Sequence, residues 1–403
     1  MKPGVIQRVV AAESLHRITD QGAYSNIVMR RLSPDLDTSE RIVVHHVVLD
    51  ALRYLIRWDA AIEAVSNRSI DDIEPMVRAV LRILAQELIG DGHAAHGAVD
   101  SCVEATRELG HPRAKGFVNA VGRKLAIAEA PTRPGDGGFE LGIPQWMFDR
   151  IASSRGRAEA RAFFEAVNQP AAVGVRARPG AELPEGTLMV PGIPGAGYVS
   201  RPPRDAMVDL IDPASTAVAL AVDAAPGMCV ADLAAAPGGK TAALWDAMAG
   251  DGRLVAVDIH EGRMERTRER LEAMGVRPEF VVADARSTDL GAGAWDRVLI
   301  DAPCTGIGTM RRRPEIRHRL RPDSPGKLGI LQAELIEAGM QLLKPGGRLV
   351  YSVCTLFPEE TVELVEHHDA RPPDLPGVVW GKGRLMGPNS TGTDGMFISV
   401  FDV

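Results

Sequence analysis

Cysteine is scarce in this chain: four among 403 residues, Cys102, Cys229, Cys304 and Cys354, and no two of them lie at the short spacings that zinc sites use. Neither a disulfide framework nor a cysteine-bound structural metal is expected, and free thiols in a reducing compartment fit best. No run of about 18 apolar residues occurs, so no membrane span is expected. The opening stretch MKPGVIQRVVAAES has no long apolar core and no cleavage site, so a cytoplasmic rather than a secreted protein is expected. Positive charge is also in deficit, 46 Lys and Arg against 53 Asp and Glu, a net charge of −7. That balance disfavours wholesale polyanion binding, so any nucleic-acid partner requires basic residues concentrated locally.

A chain of 403 residues exceeds one ordinary domain, and two or three are expected. Residues 1 to about 130 read as all-helical. Apolar positions recur at helical spacing in Val5-Ile6-Val9-Val10, in Ile42-Val43-Val47-Val48-Leu52-Leu55 and in Val77-Val80-Leu81-Leu84, with Pro75 in a first turn. Two further helices are expected over His93 to Leu109 and Gly116 to Ala130. The segment Pro131-Thr132-Arg133-Pro134-Gly135-Asp136-Gly137-Gly138 reads as a linker. A short mixed region follows, helical over 144–167 and with a strand at 172–177. From about Asp212 apolar strands alternate with helices: 229–233, 254–258, 280–282, 298–300 and 349–351. Such alternation predicts α/β architecture around a mostly parallel, doubly wound sheet.

The first of these strands runs into Asp232-Leu233-Ala234-Ala235-Ala236-Pro237-Gly238-Gly239-Lys240-Thr241 and then a helix. Small residues there let a ligand approach the backbone beside a helix N-terminus. A phosphate-cradling G-x-x-x-x-G-K-[ST] loop is excluded, because Ala234 stands where its first glycine must be, and G-x-G-x-x-G is absent. Asp258 ends the second strand, 19 residues after Gly239, where an acidic side chain takes ribose hydroxyls. Asp284 follows the third strand, suitably placed for an adenine amino group. A bare tight turn would account for the glycines alone; with both acids, an adenosine-containing cofactor is the better reading.

Cys304, in Asp301-Ala302-Pro303-Cys304, and Cys354, in Tyr351-Ser352-Val353-Cys354-Thr355, each follow a strand. Open α/β sheets place their chemistry at that rim. Cys102 and Cys229 read as small buried hydrophobes, the usual role of a lone cysteine. Two thiols on one rim suggest covalent catalysis, one attacking and one assisting. Carbon 5 of a pyrimidine becomes nucleophilic only after a thiolate adds to carbon 6. That chemistry needs a low-pKa cysteine, an acid against the base and a group assisting elimination.

DLAAAPGGKT, DAPCTGIGTMRRRPEI and LLKPGGRLVYSVCTLFPEE, in that order, closely resemble the RsmB/Nop2/Sun family of S-adenosylmethionine-dependent RNA cytosine-5 methyltransferases, over about residues 139–403. The resemblance implies a class I methyltransferase sheet, with Cys354 as nucleophile, Cys304 assisting product release and Asp301 contacting the cytosine. It implies S-adenosyl-L-methionine held by Ala234, Ala235, Ala236, Pro237, Gly238, Gly239 and Lys240, with Asp258, Arg263, Asp284 and Asp301. Glu74-Pro75-Met76-Val77-Arg78 and Gly116-Phe117-Val118-Asn119-Ala120-Val121 resemble the NusB-like RNA-binding domain of the RsmB branch, which implies small-subunit (16S) ribosomal RNA as substrate. The expected organisation is an all-α NusB-like domain (1–137), a small mixed, shortened ferredoxin-like subdomain (138–210) and the methyltransferase domain (211–403). At the start of the methyltransferase domain, Ile211-Asp212 replaces the family's usual Gln-Asp.

Two basic clusters stand out against the net negative charge. Arg311, Arg312, Arg313, Arg317, Arg319, Arg321 and Lys327 follow Cys304 and are expected to attract phosphates; Arg107, Arg113, Lys115, Arg123, Lys124 and Arg133 lie in the helical part. A target base must leave its stack, so a loop or single-stranded RNA is expected. No metal site is indicated, since His45-His46 and His367-His368 are adjacent pairs and His93 and His96 lack acidic or thiol partners. A monomer is expected. Three rival readings remain at this point. A DNA cytosine methyltransferase would make Cys304, after Pro303, the nucleophile; another RNA such as tRNA could be the substrate; and a non-catalytic ribosome-assembly or antitermination factor would leave both thiols idle.

Overall fold

The computed structural model describes residues 4–33 and 36–403. It comprises two compact units: 1–168 with 312–319, and 169–311 with 320–403. The composition boundary at 137 therefore falls inside the first unit. That unit is helical: α1 (Val5–Thr19), α2 (Ser25–Arg30), α3 (Thr38–Arg53), α4 (Leu55–Ser66), α5 (Pro75–Ala85), α6 (Ala95–Glu108), α7 (Lys115–Leu125), α8 (Gly137–Glu140), α9 (Gln145–Arg155) and α10 (Arg157–Val167). Local chemistry sets the helix starts. Asp37 accepts the Glu40 N–H at 2.9 Å while the Glu40 carboxylate accepts the Asp37 N–H at 3.0 Å, a capping box opening α3. Glu74 caps α5 by accepting from Val77, with Pro75 in the first turn. The helix expected over 144–167 is two helices meeting at Gly156, whose φ of +88° a side chain would strain.

Leu15, Val48, Leu52, Ile62, Val80, Leu81, Leu84 and Val118 form the buried core of this unit. Each such side chain stabilises the fold by about 1.5–3 kcal/mol. Two polar pairs lie within it: Arg82 grips Asp59 through Nε and Nη2 at 2.7 and 2.8 Å, and Trp58 Nε1 donates to Gln86 at 3.0 Å.

Residues 312–319 complete this unit, with a short helix that we label α11 (Ile316–Arg319). Glu315 accepts from Ser25 N and Oγ at 3.1 and 2.7 Å. Arg317, fully buried, donates from Nη1 to Arg53 O and Asn168 Oδ1, both at 2.9 Å. Arg319 donates to Ala23 O at 2.5 Å, and the Arg313 and Arg319 guanidinium groups lie over the Tyr24 ring at 5.1 and 4.6 Å. This corrects the expectation for the first basic cluster. Arg317 Nη1 and Arg319 Nη2 donate to backbone carbonyls inside the helical unit, and the two Nη atoms of Arg311 do so in the second unit, to Gly392 O and Pro170 O. Lys327 pairs with Asp323. In the second cluster, Arg107 and Lys115 pair with Glu104 and Lys124 donates to Val65 O.

The second unit begins with a four-stranded antiparallel sheet, β1 (Val173–Ala177), β2 (Leu188–Met189), β3 (Ala196–Val199) and β4 (Val208–Leu210), in the order β2-β3-β1-β4. No helix interrupts these strands. Arg176 and Arg178 both bind Asp246, at 2.7 and 2.8 Å, and Arg176 also binds Asp209 at 2.5 Å.

The main sheet follows the doubly wound expectation. Its parallel strands are β5 (Cys229–Asp232), β6 (Arg253–Asp258), β7 (Glu279–Val282), β8 (Trp295–Asp301) and β9 (Leu343–Val353), ordered β7-β6-β5-β8-β9. Three antiparallel strands extend it beyond β9: β13 (Met396–Asp402), β12 (Gly383–Met386) and β11 (Val378–Trp380), with β10 (Ala370–Arg371) also on β13. Val230, Leu254, Leu299, Val350 and Ile398 are buried on this sheet. Strand order reverses between β5 and β8, the position at which such sheets open a ligand crevice. The sequence motifs therefore meet there because every parallel strand points the same way.

Candidate active site

At the carboxyl end of β5 the chain turns through Ala234–Gly238 into a helix (Gly239–Ala247). Ser215, Asp232, Ala234, Ala235, Ala236, Pro237, Gly239, Lys240, Arg270 and Asp301 line a cavity of about 440 Å³, its solvent mouth included. Asp232 Oδ2 accepts from Thr241 Oγ1 at 2.7 Å, whereas the buried Oδ1 has no partner. Burial, helped by the nearby Asp301 charge, pushes this carboxyl up to about 6. An acceptor held dry on a cavity wall suits a cationic ligand group such as an ammonium. Two arginines brace the turn from outside: Arg263 Nη2 donates to Ala236 O at 2.9 Å and Arg270 Nη1 to Pro237 O at 3.0 Å.

Asp258, at the end of β6, is buried and accepts the His260 N–H at 2.9 Å, with Arg263 at 3.5 Å. Asp284 is held by Arg286, whose Nη2 lies 2.6 Å from Oδ2 and whose Nη1 reaches Glu334 at 2.6 Å. Those three residues line a second depression, separate from the β5 cavity.

Asp301 and the two thiols complete the rim. Asp301 Oδ2 lies 2.7 Å from Lys240 Nζ, and its Oδ1 accepts from Ser352 Oγ at 2.9 Å. The ammonium also approaches Ser215 Oγ at 3.3 Å. Cys304 Sγ and Cys354 Sγ are 3.3 Å apart, a contact in which one sulfur donates its proton to the other. Their surroundings differ. Cys304 is held protonated, well above the usual thiol range, chiefly by its hydrogen bond to Cys354 and by burial, then by the charges of Cys354, Glu360 and Asp301. Cys354 carries the other sulfur of the contact, on the loop that follows β9. The raised Cys304 thiol therefore keeps the proton that lies between the two sulfurs.

Comparison with known proteins gives the family. The family model for 16S rRNA methyltransferase RsmB/F matches residues 219–402, and that of the NusB family residues 6–126. The ribosomal RNA small subunit methyltransferase B of Xylella fastidiosa (strain Temecula1) is 30% identical over 98% of both chains. The protein of that name from Thermus thermophilus is 32% identical over 89% of this chain and 87% of its own. The chain belongs to the RsmB/F methyltransferase family. Among solved structures, a methyltransferase homologue from Pyrococcus horikoshii matches with a TM-score of 0.58 at 28% identity, over 67% of this chain and 99% of its own. The crystal structure of PH0851 shares the fold over 99% of this chain and 98% of its own, with a TM-score of 0.83 at 24% identity.

As an RsmB/F methyltransferase the protein uses S-adenosyl-L-methionine. Its residues fit that cofactor: the unpartnered Asp232 oxygen answers an ammonium group, and the small side chains of the β5 turn admit a ligand against the backbone. The sequence reading did not single out Asp232, Ser215, Arg270 or Ser352. Asp232 carried a usable signal, an acid ending the strand before the glycine turn. Among the described residues, one trio of metal-capable side chains lies close together: His46, Asp50 and Asp91 in the helical unit, where Arg53 pairs with Asp50. No helix is long and apolar enough to cross a membrane among the described residues.

The thiol loops are closely packed against the C-terminal part of the unit. Gly308 N–H donates to Cys354 O and Gly395 N–H to Gly308 O, both at 2.9 Å, and a Cβ at Gly308 would lie 2.2 Å from Gly395 O. Backbone cannot yield as a side chain does. Gly308→Ala is expected to destabilise the protein by about 1–3 kcal/mol and to lower methylation, read by thermal melting and a labelled-methyl assay.

Proposed function

We propose that this enzyme transfers a methyl group to carbon 5 of a cytidine in small-subunit ribosomal RNA, through a covalent bond between Cys354 and carbon 6 of the base. The thiol pair carries the reading: two sulfurs 3.3 Å apart on one sheet rim, one of them, Cys304, held protonated by its neighbours. The names of the relatives support ribosomal RNA as the substrate.

S-adenosyl-L-methionine supplies an electrophilic methyl group. The Ala234–Lys240 turn and Asp232 would hold it, with Asp258 for the ribose and Asp284, freed from Arg286, for the adenine. Cys354 thiolate bonds to carbon 6 of the cytosine, moving electron density to carbon 5, which would take the methyl group as the methyl–sulfur bond breaks and leaves its electron pair on the sulfur. Asp301, fixed by Lys240 and Ser352, meets the polar edge of the base. Once Cys354 is a neutral thioether, the chief cause of the raised Cys304 pKa is gone. Cys304 then loses its proton to water and takes the proton from carbon 5. The double bond re-forms as Cys354 leaves as thiolate. Attack on carbon 6 thus arms the group that ends the reaction.

The test is product mapping. Small-subunit RNA treated with enzyme and cofactor is expected to yield 5-methylcytidine on nucleoside mass spectrometry, at one site by bisulfite sequencing. Methylation elsewhere on a base, or on transfer RNA alone, would overturn the reading.

A further inference from the structure

Beneath the two thiols lies a buried polar cluster that the reaction above does not use. Glu360, fully buried, sits six residues after Cys354. Its Oε1 accepts the Thr305 N–H at 2.9 Å and Gln332 Nε2 at 3.0 Å, and its Oε2 accepts Thr305 Oγ1 at 2.5 Å. Thr305 Oγ1 lies 2.7 Å from Thr355 Oγ1. Gln332 Nε2 also reaches Pro303 O at 2.8 Å, and the buried Tyr351 hydroxyl lies 3.0 Å from Gln332 Oε1 and 2.8 Å from Glu360 O. Three of these residues adjoin a thiol: Pro303 and Thr305 flank Cys304, and Thr355 follows Cys354.

The arrangement is costly. A carboxylate without a cation partner is expensive to bury, and burial pushes the Glu360 carboxyl above its usual range while the Thr305 and Gln332 donors oppose the shift. A neutral side chain could fill the volume. What it would not supply is two acceptor oxygens that take two hydrogen bonds from one loop while sitting on the other.

We propose that Glu360 is a positioning residue for the thiol pair, its carboxylate tying the Cys304 loop to the Cys354 loop and holding the sulfurs in contact. This deepens the two-thiol reading and rests on it, but the first readout of its test, disulfide closure, needs no RNA. Without the tie the loops move independently, and misplacement by about 1 Å costs reactions of this kind about 100-fold.

The experiment uses full-length protein carrying Cys229→Ser, which removes a background thiol. Dithiodipyridine reacts with one thiol, releasing one thiopyridone; the neighbouring thiol then displaces the second, leaving a Cys304–Cys354 disulfide. The rate of that second release reads sulfur proximity without substrate. For Glu360→Ala we expect closure slowed at least about tenfold and kcat lowered about 100-fold, with RNA KM and cofactor Kd within about twofold. Glu360→Gln, which keeps the shape and one acceptor, is expected to fall between this variant and wild type, and carries the test alone if the alanine variant does not fold. Unchanged closure in the gel-pure, folded variants overturns the proposal even if kcat falls, and slowed closure with unchanged kcat overturns it too. Slowed closure with lowered kcat supports it, whichever RNA proves to be the substrate. Failure of product mapping, in contrast, would leave the closure result standing.

Discussion

Cys354→Ala is expected to abolish both methylation and any covalent RNA adduct, lowering turnover by at least about 10³-fold, the scale seen when a nucleophile is removed from a concerted site. Cys304→Ala is expected to do something different. Its Cys354 is intact and still attacks carbon 6, so the methylated adduct forms. With no group to take the carbon 5 proton, the adduct persists. Denaturing gels should show a protein–RNA band for Cys304→Ala and none for Cys354→Ala, with about one methyl group transferred per chain in the former. The 3.3 Å separation makes the contrast demanding, because two sulfurs so close could exchange roles. The reverse pattern would indicate the order used by DNA cytosine methyltransferases. Full activity in both variants would sink covalent catalysis altogether.

Asp232→Asn is expected to weaken cofactor binding by about 10- to 100-fold, the worth of a charged hydrogen bond, while making the cofactor-free protein more stable. The sign follows from the raised carboxyl. Asp232 binds its proton more tightly in the folded chain, near pH 6, than in the unfolded chain, near 3.8. Its favourable contribution is therefore complete below about pH 4 and lost as pH rises through 6. Near neutrality the ionised group costs about 3 kcal/mol, at 1.36 kcal/mol per pH unit. An amide keeps an acceptor for Thr241 and escapes that cost. Calorimetric titration of the wild type should show cofactor affinity rising with pH up to about 6 and level above it, whereas the variant should be flat. A variant that binds cofactor normally, or melts lower without it, would show that Asp232 does not hold the cofactor's ammonium group.

The catalytic unit was readable from sequence because its information is local. Short, β-branched apolar runs such as Val298-Leu299-Ile300 read as buried strands, and parallel strands bring their following residues to one rim. Asp301, Cys304 and Cys354 could thus be placed together from sequence alone. Glu360 could not, since an acidic pair after a proline reads equally as a helix start, and its partner Thr305 is 55 residues away. The arginines after Cys304 were misread for a related reason. A charge run describes what side chains carry and says nothing of where the backbone goes, and here Arg317 and Arg319 lie among carbonyls of Arg53 and Ala23. Likewise, the apolar periodicity over 144–167 could not register that Gly156 turns the chain into a second helix.

Residues 312–319 have a consequence for the order in which the molecule is made. A chain emerging from the ribosome releases its N-terminal helices first, and N-terminal domains ordinarily fold first. Here Ser25, Arg53 and Asn168 wait for Glu315 and Arg317, so about 150 further residues must be translated before those groups meet their partners. The segment made first is among the last to be finished, and a fragment ending at 168 would leave its own polar interior incomplete.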